Sequence, residues 1–161
     1  MYKLTNKEFT IKYNMYYKYL LHLAYNYTFD LSDSEDIVQD VFIKFYKCKK
    51  PFQSEVHEKN WLARVTINQS IDFIKHKSKI KVISDDYINN LPNSPENEIK
   101  NDDLISYVNM LDYGYRTVII LFYYDNHFIK EISNILKISE SSVKTRLSRA
   151  RIKLKELVGR R

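Results

Sequence analysis

An all-α fold, with two small helical domains joined by a flexible acidic linker and a helix-turn-helix in the second, is predicted from three observations. Apolar residues recur at helical spacing along nearly the whole chain, and no strand-like alternation appears. One stretch, SDDYINNLPNSPENEIKNDD, holds two of the three prolines and many acids but few large apolar side chains. The last periodic segment pairs an apolar stripe with a basic face, directly after a short helical segment and a turn.

The periodicity places helices near 6–27, 33–48, 59–78, 101–111, 115–125, 129–136 and 140–157. Thr5 with Glu8 and Ser32 with Glu35 carry the capping-box pattern, in which two otherwise orphaned amides are satisfied reciprocally. The acidic stretch from about 82 to 100 buries too little apolar surface to offset its ordering entropy. It is expected to link a domain of residues 1–81 to one of residues 101–161. Domains of that size have marginal cores when alone.

Composition bounds the function. The 161 residues are 44% hydrophobic and 29% charged, as in a globular chain and unlike a disordered one. No apolar run reaches the roughly 20 residues that span a bilayer, and no signal-peptide pattern opens the chain. A cytoplasmic protein without membrane insertion is expected. Cys48 is the single cysteine, so no intrachain disulfide forms, and no Cys/His cluster has metal-ligand spacing. Two glycines, Gly114 and Gly159, are too few for a loop that cradles phosphates. His22, His57, His76 and His127 are scattered, with no nucleophile–base pair readable from spacing. No cofactor and no enzymatic activity are expected. The 14 tyrosines fit either the codon bias of an AT-rich genome or an aromatic binding surface.

The net charge of +6 is unevenly spread. Residues 1–58 balance eight basic with eight acidic side chains. Residues 59–83 hold six basic groups against one acid, and residues 84–112 hold seven acids against one lysine. Residues 128–161 hold ten basic groups against three acids. Two basic blocks divided by an acidic one suggest two anion-binding surfaces, although solvated helix faces produce the same count.

In EISNILKISESSVKTRLSRARIKLKELV, Val143, Leu147, Ala150, Leu154 and Leu157 form one apolar stripe. Ile132, Ile135, Leu136 and Ile138 offer it a packing surface, and Ser139 is placed to cap the second helix. Ser141, Thr145 and Ser148 project opposite the stripe, flanked by Lys144 and Arg149. Small hydroxyl residues permit close approach to a major groove, and basic flanks reach phosphates or guanine edges. The turn has Lys137 where glycine is usual, so a non-glycine residue has to take positive φ there.

In the first domain, Ile37, Val38, Val41, Phe42 and Phe45 make a core face of helix 33–48. Asp36, Gln39, Asp40 and Ile43 line up on the other side, as a protein-docking row or a solvated face. Downstream, Phe52, Lys59, Asn60, Trp61, Arg64 and Asn68 combine aromatic, basic and amide groups, a set suited to unstacked bases of a single DNA strand. Trp61 serves equally well as a core residue.

Together, DSEDIVQDVFIKFY, NWLARVTINQSIDFIK and RTVIILFYYDNHFIKEISNILKISESSVKTRLSRARIKLKEL resemble the extracytoplasmic-function sigma factors of bacterial RNA polymerase, over about residues 15 to 158. The resemblance implies a first domain that grips the polymerase clamp and the melted −10 element. It implies a second domain whose recognition helix reads the −35 element and touches the polymerase flap. It assigns Asp36, Gln39 and Asp40 to the clamp, with Ile43 in the same row. It assigns loop 52–60 and Asn68 to the flipped −10 base, and Lys144, Thr145, Ser148 and Arg149 to the −35 element, with Ser141 beside them. The expected partners are core RNA polymerase, promoter DNA and an anti-sigma factor. Three further residues depart from the family pattern: Gln53 and Ser54 replace an Arg-Gly pair after Phe52, and Asp112 stands near the usual proline of the second domain. The rival reading is a stand-alone helix-turn-helix regulator that binds duplex sites unaided as a dimer.

Overall fold

The structure, a computed structural model, describes residues 2–88 and 104–160, with side chains as far as Lys79 in the first stretch. Every regular element among these residues is helical: α1 (Asn6–Thr28), α2 (Leu31–Tyr46), α3 (Glu55–Ile88), α4 (Leu104–Asn109), α5 (Tyr113–Ile119), α6 (Ile129–Leu136) and α7 (Glu140–Gly159). The chain divides into two compact units, Met1–Lys75 and His76–Arg161.

In the first unit, α1 opens with the expected capping box. The Thr5 hydroxyl accepts from the Glu8 amide, and the Glu8 carboxylate accepts from the Thr5 amide at 2.9 Å. The second expected box does not form. Asp30, not Ser32, caps α2, its carboxylate accepting from the Asp33 amide at 2.8 Å, so the helix starts at Leu31. An ionised acceptor next to three free amides makes a stronger cap than a hydroxyl. α3 is longer than expected at both ends. It begins at Glu55, where the Ser54 hydroxyl accepts from the His57 amide at 3.1 Å. It runs on to Ile88, so residues 82–88 are helical although composition assigned them to the linker. No Pro or Gly stands within Glu55–Ile88 to interrupt the ladder. The remaining expected linker, and the start of the helix expected from 101, lie outside the described residues.

The core of this unit joins Leu20 and Ala24 of α1, Ile37, Val38, Val41, Phe42 and Phe45 of α2, and Leu62 of α3. Aromatic rings close its edge: Phe45 lies 6.3 Å from Trp61 and 5.8 Å from Phe52, and Phe9 meets Phe42 edge-on at 6.1 Å. Buried hydroxyls are satisfied within the helix, Thr66 donating to the Leu62 carbonyl and Ser70 to that of Thr66.

In the second unit, α5 and α6 pack on α7. Val118, Ile119, Ile120, Leu121, Ile132, Ile135, Val143, Leu147 and Ala150 are buried. The helix expected over 115–125 is α only to Ile119 and continues as a π-helical turn, Ile120–Tyr124. The turn closes with the Asp125 amide donating to the Ile120 carbonyl at 3.0 Å. One extra residue per turn re-aims the aromatic run Phe122–Tyr124, which an apolar period alone does not encode.

Candidate nucleic-acid and protein interfaces

The turn between α6 and α7 takes the strained form that its sequence requires. Lys137 is left-handed, with φ 54° and ψ 45°, and its amide donates to the Ser133 carbonyl. Ser133 also donates its hydroxyl to the Ile138 carbonyl at 2.6 Å, tying the turn across the strained residue. Ser139 then caps α7, its hydroxyl accepting from the Ser142 amide at 3.0 Å. From that start the helical period divides α7 into two faces. Val143, Leu147 and Ala150 are buried and Leu154 and Leu157 half-buried, whereas Ser141, Lys144, Thr145, Ser148 and Arg149 are all exposed. All five residues chosen for this face therefore lie on it together.

The basic count of α7 overstates that face. Arg151 donates its Nε proton to the Tyr123 hydroxyl at 2.7 Å and lies 5.6 Å from that ring and 5.8 Å from Phe122. Lys153 pairs with Asp112 at 3.6 Å and sits 5.0 Å from the Tyr115 ring. These cations bind α7 to its own unit through charge and ring contacts.

In the first unit, Asp36, Gln39, Asp40 and Ile43 are all exposed along α2, with Ile43 half open to solvent at 50%. Beside the row runs an apolar groove of about 510 Å³ lined by Phe9 and Tyr13 of α1 and by Gln39, Phe42, Ile43 and Tyr46 of α2. The groove was not anticipated. Its only sequence signal is the pair of rings four apart on α1, Phe9 and Tyr13, which reads equally well as core.

The third group divides. Asn60 and Arg64 are half-buried and Asn68 is exposed, at four-residue steps that align them on one stripe of α3. Lys59 is exposed, its ammonium 4.7 Å from the centre of the Tyr19 ring. Phe52 and Trp61 are half-buried and in mutual contact at 5.5 Å, so they belong to the aromatic core while keeping an exposed edge.

An ion pair unforeseen from sequence sits beneath this surface. Glu58 is 3% exposed, and its carboxylate accepts from the Lys12 ammonium at 2.6 Å and from the Tyr16 hydroxyl at 3.1 Å. Burial, followed by the Glu58 charge, pushes the Tyr16 phenol up to about 12. Among the described residues no group of His, Cys, Asp and Glu is arranged to hold a metal ion, and no helix is long and apolar enough to cross a membrane.

Residues 13–80 match the family model for sigma-70 region 2, and residues 101–154 match that for sigma-70 region 4. The chain is 32% identical over 128 residues to the RNA polymerase sigma factor SigV of Bacillus subtilis, covering 80% of this chain and 77% of that one. It is 32% identical over 154 residues to the ECF RNA polymerase sigma factor SigM of the same organism, covering 92% and 93%. Its fold matches the sigma factor RpoE of Bartonella quintana, solved in complex with the anti-sigma factor NepR. That match has a TM-score of 0.67 at 24% identity over 96% of this chain and 98% of the other. With both family regions in order and such relatives along nearly its full length, the chain belongs to the extracytoplasmic-function sigma factors of RNA polymerase.

Proposed function

We propose that this sigma factor divides promoter recognition between a first domain, residues 1–81, and a second, residues 101–161, joined through residues 82–100. The exposed face of α7 enters the major groove at the −35 element. There Ser141, Thr145 and Ser148 allow close approach, and Lys144 and Arg149 supply phosphate and base-edge contacts. Phe52, Lys59, Asn60, Trp61, Arg64 and Asn68 hold the melted −10 strand, stacking on one base and gripping its backbone. Asp36, Gln39, Asp40 and Ile43 dock on core RNA polymerase. The chain performs no covalent chemistry and works in the cytoplasm. Binding energy offsets the unpairing of a base, which costs a few kcal/mol.

The observation that carries this reading is the separation of two exposed faces, one acidic on α2 and one hydroxyl-rich and basic on α7, each backed by its own core. A partner that masks the polymerase-docking face, an anti-sigma factor, is supported by RpoE with NepR and by the structure of CnrH in complex with the cytosolic domain of CnrY.

The test is transcription by core polymerase on fragmented DNA of the source genome, with and without the chain, followed by sequencing of transcript 5′ ends. New start sites sharing two asymmetric elements are expected, with feeble specific binding by the chain alone. Specific gel shift of a palindromic duplex by the chain alone, with no new start sites, would return the regulator reading.

A further inference from the structure

We propose that His57 is a positioning residue for the base-reading loop, with its ring Nδ1 fixing the backbone of Gln53 at the point where an unstacked base enters. The inference rests on the assignment of segment 52–60 to the −10 strand and gives the loop that opens it, before α3, a specific support.

The loop has no glycine and carries Gln53 and Ser54 after Phe52, so its path is set by contacts and not by an unusual backbone. Two of those contacts meet at His57. The Gln53 amide donates to His57 Nδ1 at 3.2 Å, and the His57 amide donates to the Ser54 hydroxyl at 3.1 Å. The Glu58 amide completes the start of α3 by donating to the Ser54 carbonyl at 3.0 Å. The arrangement is a reciprocal cap in which an imidazole nitrogen takes the place usually held by a glutamate or glutamine oxygen. It reaches the amide just before the cap residue.

The same ring packs edge-on against Phe52 at 5.6 Å and 70°, while Phe52 leans on Trp61 and Phe45 on its other side. His57 therefore holds both the side chain of Phe52 and the main chain of Gln53. Phe52 is also anchored by the aromatic core, whereas Gln53 is exposed. Losing the Nδ1 acceptor frees the peptide that follows Phe52 without disturbing the ring cluster. Misplacement of that peptide by a fraction of an ångström degrades selection among bases more than it degrades affinity, which comes largely from phosphate contacts.

Two variants separate ring from acceptor. His57→Asn places Oδ1 where Nδ1 stands and removes the ring, whereas His57→Phe keeps the ring and removes the acceptor. Each full-length chain is assembled with core RNA polymerase and offered duplexes whose non-template strand is randomised across a short unpaired window. Retained DNA is then sequenced. Wild type and the Asn variant are expected to select the same base at one unpaired position. The Phe variant is expected to keep core binding and its urea midpoint while that selection falls about tenfold, the equivalent of about 1.4 kcal/mol. Selection by the Phe variant as sharp as that of wild type overturns the proposal, as does loss of selection in the Asn variant. Absence of any base preference in wild type overturns the −10 assignment of the loop, and this inference with it.

Discussion

The two units build their surfaces in opposite ways. In the second, a single helix is sufficient: α7 buries Val143, Leu147 and Ala150 and, between those positions, exposes Ser141, Lys144, Thr145, Ser148 and Arg149. Core and interface alternate along one period and share no side chain. In the first unit the proposed −10 surface draws on α3 and the loop before it, and Phe52 and Trp61 belong to core and surface at once. Recognition should therefore separate cleanly from folding in the second unit and remain coupled to it in the −10 part of the first.

Trp61 gives the widest contrast. Trp61→Ala removes a half-buried ring that touches Phe45 and Phe52. It should destabilise the first unit by about 3 kcal/mol, measured by urea unfolding, while also impairing capture of an unpaired base. Arg149→Ala should leave the urea midpoint within about 0.5 kcal/mol, because the residue is exposed and solvated. Its cost should appear in promoter binding, at about 1–3 kcal/mol if it reaches a base edge. If the two variants showed the same profile, the contrast between the units would collapse.

The Lys12–Glu58 ion pair sharpens the coupling expected at the proposed −10 surface. Lys12→Met takes the ammonium from the buried Glu58 carboxylate and leaves it the hydrogen bond from the Tyr16 hydroxyl. It should cost about 1–3 kcal/mol, less than a fully buried pair because Lys12 is 24% exposed. Tyr16 adds a pH signature. Its folded-state pKa of about 12 lies above the ordinary 10.0. The stability it contributes is thus fully present below pH 10 and is lost as pH rises toward 12. Alkaline unfolding of wild type should show this slope, and Tyr16→Phe should flatten it.

The smallest expected effect is in the turn of the second unit. Lys137→Gly relieves a left-handed lysine but loosens the unfolded chain. A gain of about 0.5 kcal/mol in thermal unfolding is expected, with no change in DNA selection.

The helix-turn-helix was legible because both of its faces follow one period, even though Lys137 stands in the left-handed turn position where glycine is usual. The exposed row on α2 was legible for the same reason. What escaped depends on contacts between distant segments or on competition between neighbours. Lys12 and Glu58 lie 46 positions apart, and the groove beside Gln39 and Ile43 exists only once α1 has packed on α2. Asp30 displaced Ser32 as a cap through a stronger acceptor two residues earlier. Arg151 and Lys153 counted as free cations until their ring partners from other helices were in place. The double role of Phe52 and Trp61 stayed open for the same reason, since a ring that ends half-buried satisfies both readings.

Docking of the α2 row on polymerase is tested by co-elution of the purified chain with sigma-free core RNA polymerase on size exclusion, alongside the double variant Asp36→Lys, Asp40→Lys. Both positions are exposed, so the variant should keep its fold and its urea midpoint. Wild type should travel with core, and the variant should elute alone. A wild-type chain that stays apart from core and shifts duplex DNA unaided would contradict that docking.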